Sequence, residues 1–122
     1  KQGRLTFPYF DEYGEVVGIK HHKGKNSERP YWEGDGTCKW YGLQLLKGFD
    51  RHQPLYICEG ENDSHRLRSL GYQSTTGSAG AGSIPRDMNP ISGFTKYKII
   101  YDNDSAGNDG AEKLARKMEV EL

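Results

Sequence analysis

The first half of the chain alternates apolar and polar residues over short stretches. In "RLTFPYF" the residues Leu5, Phe7 and Tyr9 recur at every second position, "DEYG" supplies turn residues, and "EVVGIKHH" follows. This period of two predicts a β-hairpin with strands over 4–10 and 15–22. The aromatic stretch "YWEGDGTCKWYG" predicts two more short strands, and "GLQLLKG" is typical of a helix. We therefore expect a small antiparallel β lobe.

The second half contains apolar runs that are continuous rather than alternating. "PLYICEG" and, later, "KYKIIYD" are each typical of a strand that is buried on both faces, and "YQSTTG" predicts a weaker strand between them. Helical patterns separate the strands, and such alternation predicts a parallel sheet with right-handed crossovers. We expect the strands over 54–58 and 97–101 to be adjacent inner strands of this sheet.

Two helices are predicted between and after these strands. "NDSHRLRSLG" predicts a short helix that is capped by Asn62, Asp63 or Ser64 and stopped by Gly71. "SAGNDGAEKLARKM" predicts a longer helix with one apolar face. The residues of that face are Ala111, Leu114, Ala115 and Met118. The final "EVEL" predicts the start of another strand.

The amino-acid composition limits the partners and the cellular location that the chain can have. There are 17 basic and 17 acidic side chains among 122 residues, so contact with a polyanion has to come from local patches or a bound metal ion. An apolar fraction of 34% and a start without Met lead us to expect a piece of a longer protein. No apolar run is long enough for a membrane span, and no leader opens the chain. Cys38 and Cys58 favour free thiols and a reducing cytoplasm.

Acidic residues follow both strong strands. Glu59 ends the first strand, and Asp102 and Asp104 end the second. Ligands of parallel sheets bind beyond the carboxyl ends of the strands, so neighbouring strands would bring these carboxylates into one crevice. Carboxylates at short range repel one another and need a counter-ion, and oxygen ligands select Mg²⁺ or Mn²⁺. The alternative for Asp63 and Asp104 is a role as helix N-caps.

Other phosphate and metal sites fit the sequence less well. "DNDSAGNDGAEK" begins like a calcium loop, but Ala106 and Lys113 stand where ligands are required. "TGSAGAGS" lacks the GK[ST] of a P-loop and does not complete GxGxxG. "YDNDS" suggests an aspartyl-phosphate phosphatase, whose chemistry needs a longer downstream sequence. The histidines show no ligand spacing with the cysteines.

The two acidic motifs together resemble the Toprim domain of primases, topoisomerases and related nucleases. The hallmarks of that family are a Glu after the first strand and a DxD after the third, and "EGEND" and "DNDSAG" match them in order; the resemblance covers residues 55–118. "DNDSAG" continuing into a helix is similar to the primase version. "LTFPYFDEYGEVVGIKHHKG" and "KWYGLQLL" resemble the small β-rich part of the RNA-polymerase domain in phage and plasmid primases.

This resemblance implies an α/β fold, in which a Toprim-like Rossmannoid parallel sheet is flanked by helices and preceded by a small antiparallel β lobe. The β lobe would occupy residues 1–52. The Toprim domain would occupy residues 53–122 and would be truncated at its C-terminal end, because the further acids that primase domains carry after the next strand are missing.

The resemblance also implies roles for single residues. Glu59 matches the family's catalytic glutamate, which acts as a general acid or base or is linked to the metal. Asp102 and Asp104 match the Mg²⁺ ligands. Glu61 and Asp63 match acids that often follow the first Glu, and Asp63 is the better candidate for a metal ligand. The implied cofactor is Mg²⁺ or Mn²⁺.

A basic stretch in the β lobe is a candidate for binding nucleotide or nucleic acid. Its residues are Lys23, Lys25, Arg29 and Lys39. A loop of solvated charges with no ligand is the alternative interpretation.

The predicted function is that of a DNA primase catalytic core of phage or prophage type, which synthesises RNA primers on a single-stranded DNA template from ribonucleoside triphosphates. A helicase module would act in the full-length protein or in trans, and the isolated piece would be weakly active or inactive. The alternative is a Toprim module that cleaves phosphodiesters or binds DNA without polymerising. A primase would be cytoplasmic and would have no membrane contact.

Overall fold

The computed structural model describes residues 5–22, 31–77 and 83–122, and contains two three-stranded sheets. The first is antiparallel and consists of β1 (Leu5–Phe10), β2 (Val16–His22) and β3 (Tyr31–Gly34), in that order. The predicted hairpin is confirmed. We refer to this sheet as the β lobe. "YWEGDGTCKWYG" contributes one strand, not the predicted two, because Trp40 forms only an isolated bridge to Gly77.

The turn between β1 and β2 follows from its residues. Asp11 Oδ1 accepts hydrogen bonds from the backbone N–H groups of Tyr13 and Glu15, both at 2.9 Å. Gly14 has a φ of 86°, a value that side chains disfavour. The short polar turn therefore fixes the hairpin register, in which Phe7 faces Lys20 and Tyr9 faces Gly18.

The second sheet is parallel, as predicted. It consists of β4 (Leu55–Cys58), β5 (Ser74–Thr76) and β6 (Tyr97–Ile100), in the order β5-β4-β6. The predicted adjacency of β4 and β6 is therefore confirmed. The prediction that both are inner strands is wrong for the described residues, because β6 lies at the edge and Ile100 is 46% exposed.

The described residues also form three α-helices: α1 (Leu43–Leu46), α2 (Glu61–Ser69) and α3 (Ser105–Glu121). A 3₁₀ turn spans Asn89–Ile91. In the described parts of the chain, no helix has the length and apolar character that a membrane span requires.

Helix α2 does not begin as predicted. Its N-cap is Gly60, and Asn62, Asp63 and Ser64 all lie inside the helix. The side chain of Ser64 bonds to Ser74 of the neighbouring strand and so does not cap the helix.

The C-terminal end of α2 is as predicted. Gly71 follows the helix with a φ of 95°. The N–H groups of Gly71 and Tyr72 donate to the carbonyl oxygens of Arg68 and Leu67, which is a Schellman motif.

Helix α3 is longer than predicted and has a different buried face. It continues to Glu121, so the strand predicted at "EVEL" is wrong. Leu114 and Met118 are buried as expected, whereas Ala115 is exposed and Ala111 is half-buried. Gly107 and Gly110 complete the buried face, and these small residues let the helix approach the sheet closely.

The main core lies between the parallel sheet and α3. Leu55, Ile57, Leu114 and Met118 pack there with residues of the loop before β6. Trp40 and Leu46, which precede the predicted boundary at 52/53, belong to the same core. The boundary stays a prediction, and packing is continuous across it.

Candidate functional site

Two of the predicted acids lie side by side at the carboxyl ends of neighbouring strands. Cys58 pairs with Ile100 in the parallel ladder, so Glu59 and the start of the loop after β6 leave the sheet together. The backbone N–H of Asp102 donates a hydrogen bond of 2.8 Å to Glu59 Oε1. The two acidic motifs are thus joined directly, across 43 residues of sequence.

Asp104 is the N-cap of α3. Its Oδ1 accepts a hydrogen bond of 2.7 Å from the backbone N–H of Gly107, as the helix-cap alternative predicted. A carboxylate has about four lone-pair positions, so this bond leaves the other oxygen with acceptor capacity. Asp102 and Asp104 are exposed. The backbone N–H of Asp104 also donates to the Asp102 carbonyl oxygen at 2.9 Å, which closes a tight turn.

Asp63 lies in the first turn of α2, is exposed and caps nothing through its side chain. Its charge acts on Cys58, at the end of β4: burial first and then Asp63 raise the pKa of the Cys58 thiol to about 11. Asp63 is therefore close to the strand end that Glu59 follows. We refer to residues 59–63 as the acidic turn.

Tyr101 is the half-buried residue between β6 and Asp102. Burial first, and then the charge of Glu59, raise its pKa to about 12. Tyr101 is therefore a neutral hydroxyl at physiological pH.

Glu61 has a different environment from the other acids. It is 6% exposed and lies against the β lobe. Tyr9 donates to its Oε2 at 2.5 Å, and Lys20 Nζ lies 3.0 and 3.3 Å from its two carboxylate oxygens. Lys20 is 8% exposed, so this is a buried ion pair. Burial, followed by the charge of Glu61, raises the pKa of Tyr9, which stays a hydrogen-bond donor.

A crevice of about 240 Å³ lies between the acidic turn and the β lobe. Phe7 and His22 line it from the β lobe, and residues 60–63 line it from the other side. Of the predicted metal-binding acids, Asp63 lines this crevice, whereas Glu59, Asp102 and Asp104 do not.

The predicted basic residues are not brought to this crevice by any described contact. Lys23, Lys25 and Arg29 lie outside the described residues. Lys39 Nζ donates to the carbonyl oxygens of Asp35 and Thr37 at 2.7 and 2.8 Å, so it stabilises its own turn. A role for these four residues in binding nucleic acid stays a prediction.

The acids suit a hard divalent cation by their chemistry, although they do not enclose one. Within residues 5–22, 31–77 and 83–122, no three His, Cys, Asp or Glu side chains form a ready metal cluster. Glu59, Asp102 and Asp104 nevertheless offer oxygen atoms only, at one edge of the sheet, and Mg²⁺ commonly keeps several waters and takes few protein ligands. The metal site stays a prediction.

Comparison by sequence finds primases. The chain is 24% identical over 121 residues to a DNA primase of Lactococcus lactis, and 25% identical over 126 residues to a DNA primase of Mycoplasma pneumoniae. These matches cover 90% and 96% of the chain but only 19% and 20% of the relatives. The chain thus spans about a fifth of their length. No protein-family model matches it.

Comparison by structure finds the same class of protein. The primase fragment of the bacteriophage T7 primase-helicase superposes with a TM-score of 0.75 at 20% identity, and the match covers 93% of this chain and 48% of that one. The fold is that of a primase catalytic core. The DnaG catalytic core matches with a TM-score of 0.69 at 23% identity, over 90% of this chain and 38% of that one. This primase fold contains both the β lobe and the parallel sheet.

Two residues of the site were missed by sequence reasoning. Tyr9 and Lys20 occupy inward-facing positions of the alternating strands β1 and β2. A lysine at an apolar position of such a strand is a signal in itself, since a buried ammonium needs an anionic partner. That signal identifies a buried pair, but it does not identify Glu61 as the partner.

Proposed function

We propose that this chain is the catalytic part of a DNA primase, which synthesises RNA primers in a Mg²⁺-dependent or Mn²⁺-dependent reaction. The observation that carries the proposal is the bond between the Asp102 N–H and Glu59 Oε1, which joins the two acidic motifs at the strand ends. The primase-core fold and the two primase relatives support it.

The proposed metal-binding residues are Glu59, Asp102, Asp104 and Asp63. A divalent ion bound by these acids would lower the pKa of the attacking 3′-hydroxyl and neutralise charge on the leaving pyrophosphate. Toprim is the domain type that this arrangement would represent.

Glu59 is the proposed catalytic residue. Its Oε1 is held by the Asp102 N–H, which orients the carboxylate and leaves Oε2 as the atom that would accept the hydroxyl proton.

The proposed substrates are ribonucleoside triphosphates and a single-stranded DNA template. Similar proteins support the template: one DnaG primase catalytic domain was solved bound to single-stranded DNA, and T7 lagging-strand DNA polymerase was solved interacting with primase domains of two gp4 subunits, with an RNA/DNA hybrid and dTTP. A helicase module, in the same protein or in trans, is the proposed partner, because the T7 relative is a primase-helicase.

Calorimetric titration with Mn²⁺ tests the metal site in the chain itself. Asp102→Asn and Asp104→Asn each remove one charge and keep the hydrogen-bonding shape, and Asn remains a good N-cap at 104. We expect both variants to bind Mn²⁺ about tenfold more weakly or worse, since each loses a charged ligand. Asp87→Asn is the matched control, because Asp87 is exposed and its carboxylate accepts only a local bond from Asn89.

If all three variants and the unaltered chain bind Mn²⁺ with the same affinity, the proposed metal site is contradicted. Asp104 would then be a helix cap only.

Primer synthesis is the second test. Ribonucleotide incorporation on single-stranded DNA should depend on Glu59 in a longer protein that contains this chain. Cleavage of the template, or DNA binding without incorporation, would favour a nuclease-like or non-catalytic Toprim module instead.

A further inference from the structure

The acidic turn contains one carboxylate that does not face the strand ends. Glu59 lies two residues before Glu61 and Asp63 lies two residues after it, but the Glu61 carboxylate is buried against the β lobe. Tyr9 from β1 and Lys20 from β2 both donate to it, at 2.5 Å and at 3.0 and 3.3 Å. These contacts connect residues that are 52 and 41 positions apart in the sequence.

Stability alone is a weak reason to keep such a cluster. Desolvation of a buried ion pair offsets most of its attraction, and apolar residues of similar volume often serve as well. Directed hydrogen bonds do supply a defined geometry, because the donors fix the position of the carboxylate in a way that apolar packing does not.

Glu61 is the residue of the acidic turn whose side chain bonds to the β lobe. Gly60, the N-cap of α2, offers no side chain to hold the first turn of the helix. Besides the bonds within α2, the turn is held by the hydrogen bond from the Asp102 N–H to Glu59 and by the one from the Ser64 N–H to the Gly60 carbonyl oxygen, at 3.2 Å. Glu61 is the first residue of α2 and follows Gly60 directly, so a shift of Glu61 would act on Glu59 before it and on the first turn of the helix, which carries Asp63.

We infer that Glu61 is a positioning residue, which fixes the acidic turn to the β lobe through Tyr9 and Lys20. The inference rests on the proposed metal-dependent function and deepens it. Glu61 takes no part in binding the ion. It sets where the flanking carboxylates stand, so that the β lobe is part of the active-site architecture.

Tyr9→Phe is the most direct test, because it removes one hydroxyl and changes no charge. We expect Mn²⁺ affinity to fall about fivefold, the size expected for the loss of one orienting hydrogen bond. The amide of Ser64, which makes the first hydrogen bond of α2, should exchange with solvent faster in the same variant. Tyr13→Phe is the control, because Tyr13 is 81% exposed and should change neither quantity.

Lys20→Met distinguishes a positioning role of Glu61 from a purely electrostatic role, because the two roles predict opposite changes in Mn²⁺ affinity. If Glu61 acted only through its charge, removal of the neighbouring cation would strengthen Mn²⁺ binding. Positioning predicts weaker binding, since the carboxylate loses the donor that holds it. If Lys20→Met fails to fold, Tyr9→Phe decides the question alone.

Three results would overturn the inference. One is unchanged affinity and unchanged exchange in Tyr9→Phe; another is tighter Mn²⁺ binding by Lys20→Met. The third is weaker binding in Glu61→Gln but not in Tyr9→Phe, which would make Glu61 a ligand. If the unaltered chain binds no Mn²⁺, the proposed function fails, and the exchange of the Ser64 amide still tests the positioning role.

Discussion

Among single residues, Gly107 leaves the least room for substitution at the candidate site. A side chain there would collide with the carbonyl oxygen of Asp102 and would crowd the carboxylate of Asp104. We predict that Gly107→Ala lowers the free energy of unfolding by about 1–3 kcal/mol, as overpacking of rigid backbone does, and weakens Mn²⁺ binding because the loop after β6 must move. Urea denaturation and calorimetry measure the two effects.

Gly60 is the matched control for this prediction. It also belongs to an acidic motif, but a side chain there would meet no atom within 4 Å, and its φ of −142° suits any residue. Gly60→Ala should cost less, about 0.5–1 kcal/mol, because its cost is only that of Ala being a poorer N-cap than Gly. Equal losses in the two variants would show that the close approach of α3 to Asp102 does not constrain the site.

The residues that could be predicted from the sequence are those fixed by local pattern. Glu59 and Asp102 follow apolar runs, and the carboxyl ends of neighbouring parallel strands meet at one edge. The environment of Glu61 could not be predicted, because it depends on how the β lobe docks against α2. No local pattern specifies the docking of elements that are 41 residues apart.

At the scale of elements, α2 is held to β5 by buried hydroxyls. Ser64 Oγ and Ser74 Oγ lie 2.9 Å apart, and Ser74 Oγ donates to the Ser64 carbonyl oxygen at 2.7 Å. Arg68 adds bonds of 3.3 Å to the Ser74 carbonyl oxygen. These contacts fix the helix on the sheet with little apolar area.

A double-mutant cycle tests the hydroxyl pair. We predict that Ser64→Ala and Ser74→Ala each destabilise the chain and show a coupling energy of about 1 kcal/mol, since each single variant leaves the other buried hydroxyl with fewer partners. Chemical denaturation of the two single variants and the double variant measures it. Purely additive losses would mean that the two side chains contribute independently.

Element type was predictable where the pattern was long, and uncertain where tertiary context decides. The period of two in β1 and β2 and the continuous run of β4 gave strands. "KYKIIYD" also gave a strand, but its burial alternates because Tyr97 and Ile99 pack against the main core, whereas Lys98 and Ile100 on the opposite face are exposed. Four residues of "EVEL" fit a helix as well as a strand, and the bond between Lys117 and Glu121 accompanies the helix.

At the scale of the whole molecule, buried tyrosine hydroxyls and a buried cysteine thiol should make the stability of the fold sensitive to alkaline pH. Burial is the first cause that raises the pKa of Tyr9, Tyr41 and Tyr101, and that of Cys58 to about 11. These groups lie at the lobe interface and at the strand ends. The stability of both the β lobe and the parallel sheet therefore depends on these groups keeping their protons.

The sign of the pH effect follows from proton binding. The unfolded chain loses these protons near the ordinary values, about 8.5 for Cys and about 10 for Tyr. The folded chain keeps them to higher pH, so unfolding releases protons and stability falls as pH rises. The contribution of these retained protons to the free energy of unfolding is fully present below about pH 8.5. The part contributed by Cys58 is lost as the pH rises to about 11.

We predict that the melting temperature is constant from about pH 7 to pH 8.5 and then falls by a few degrees per pH unit, because each retained proton contributes about 1.4 kcal/mol per unit. Cys58→Ala should flatten the fall between pH 9 and 11, since it removes one of these protons. Cys38→Ala, at the half-buried thiol outside the two cores, serves as the control. Thermal unfolding followed by circular dichroism at constant ionic strength measures all three proteins. A Cys58→Ala slope as steep as that of the unaltered chain would show that burial at the end of β4 does not hold the thiol neutral.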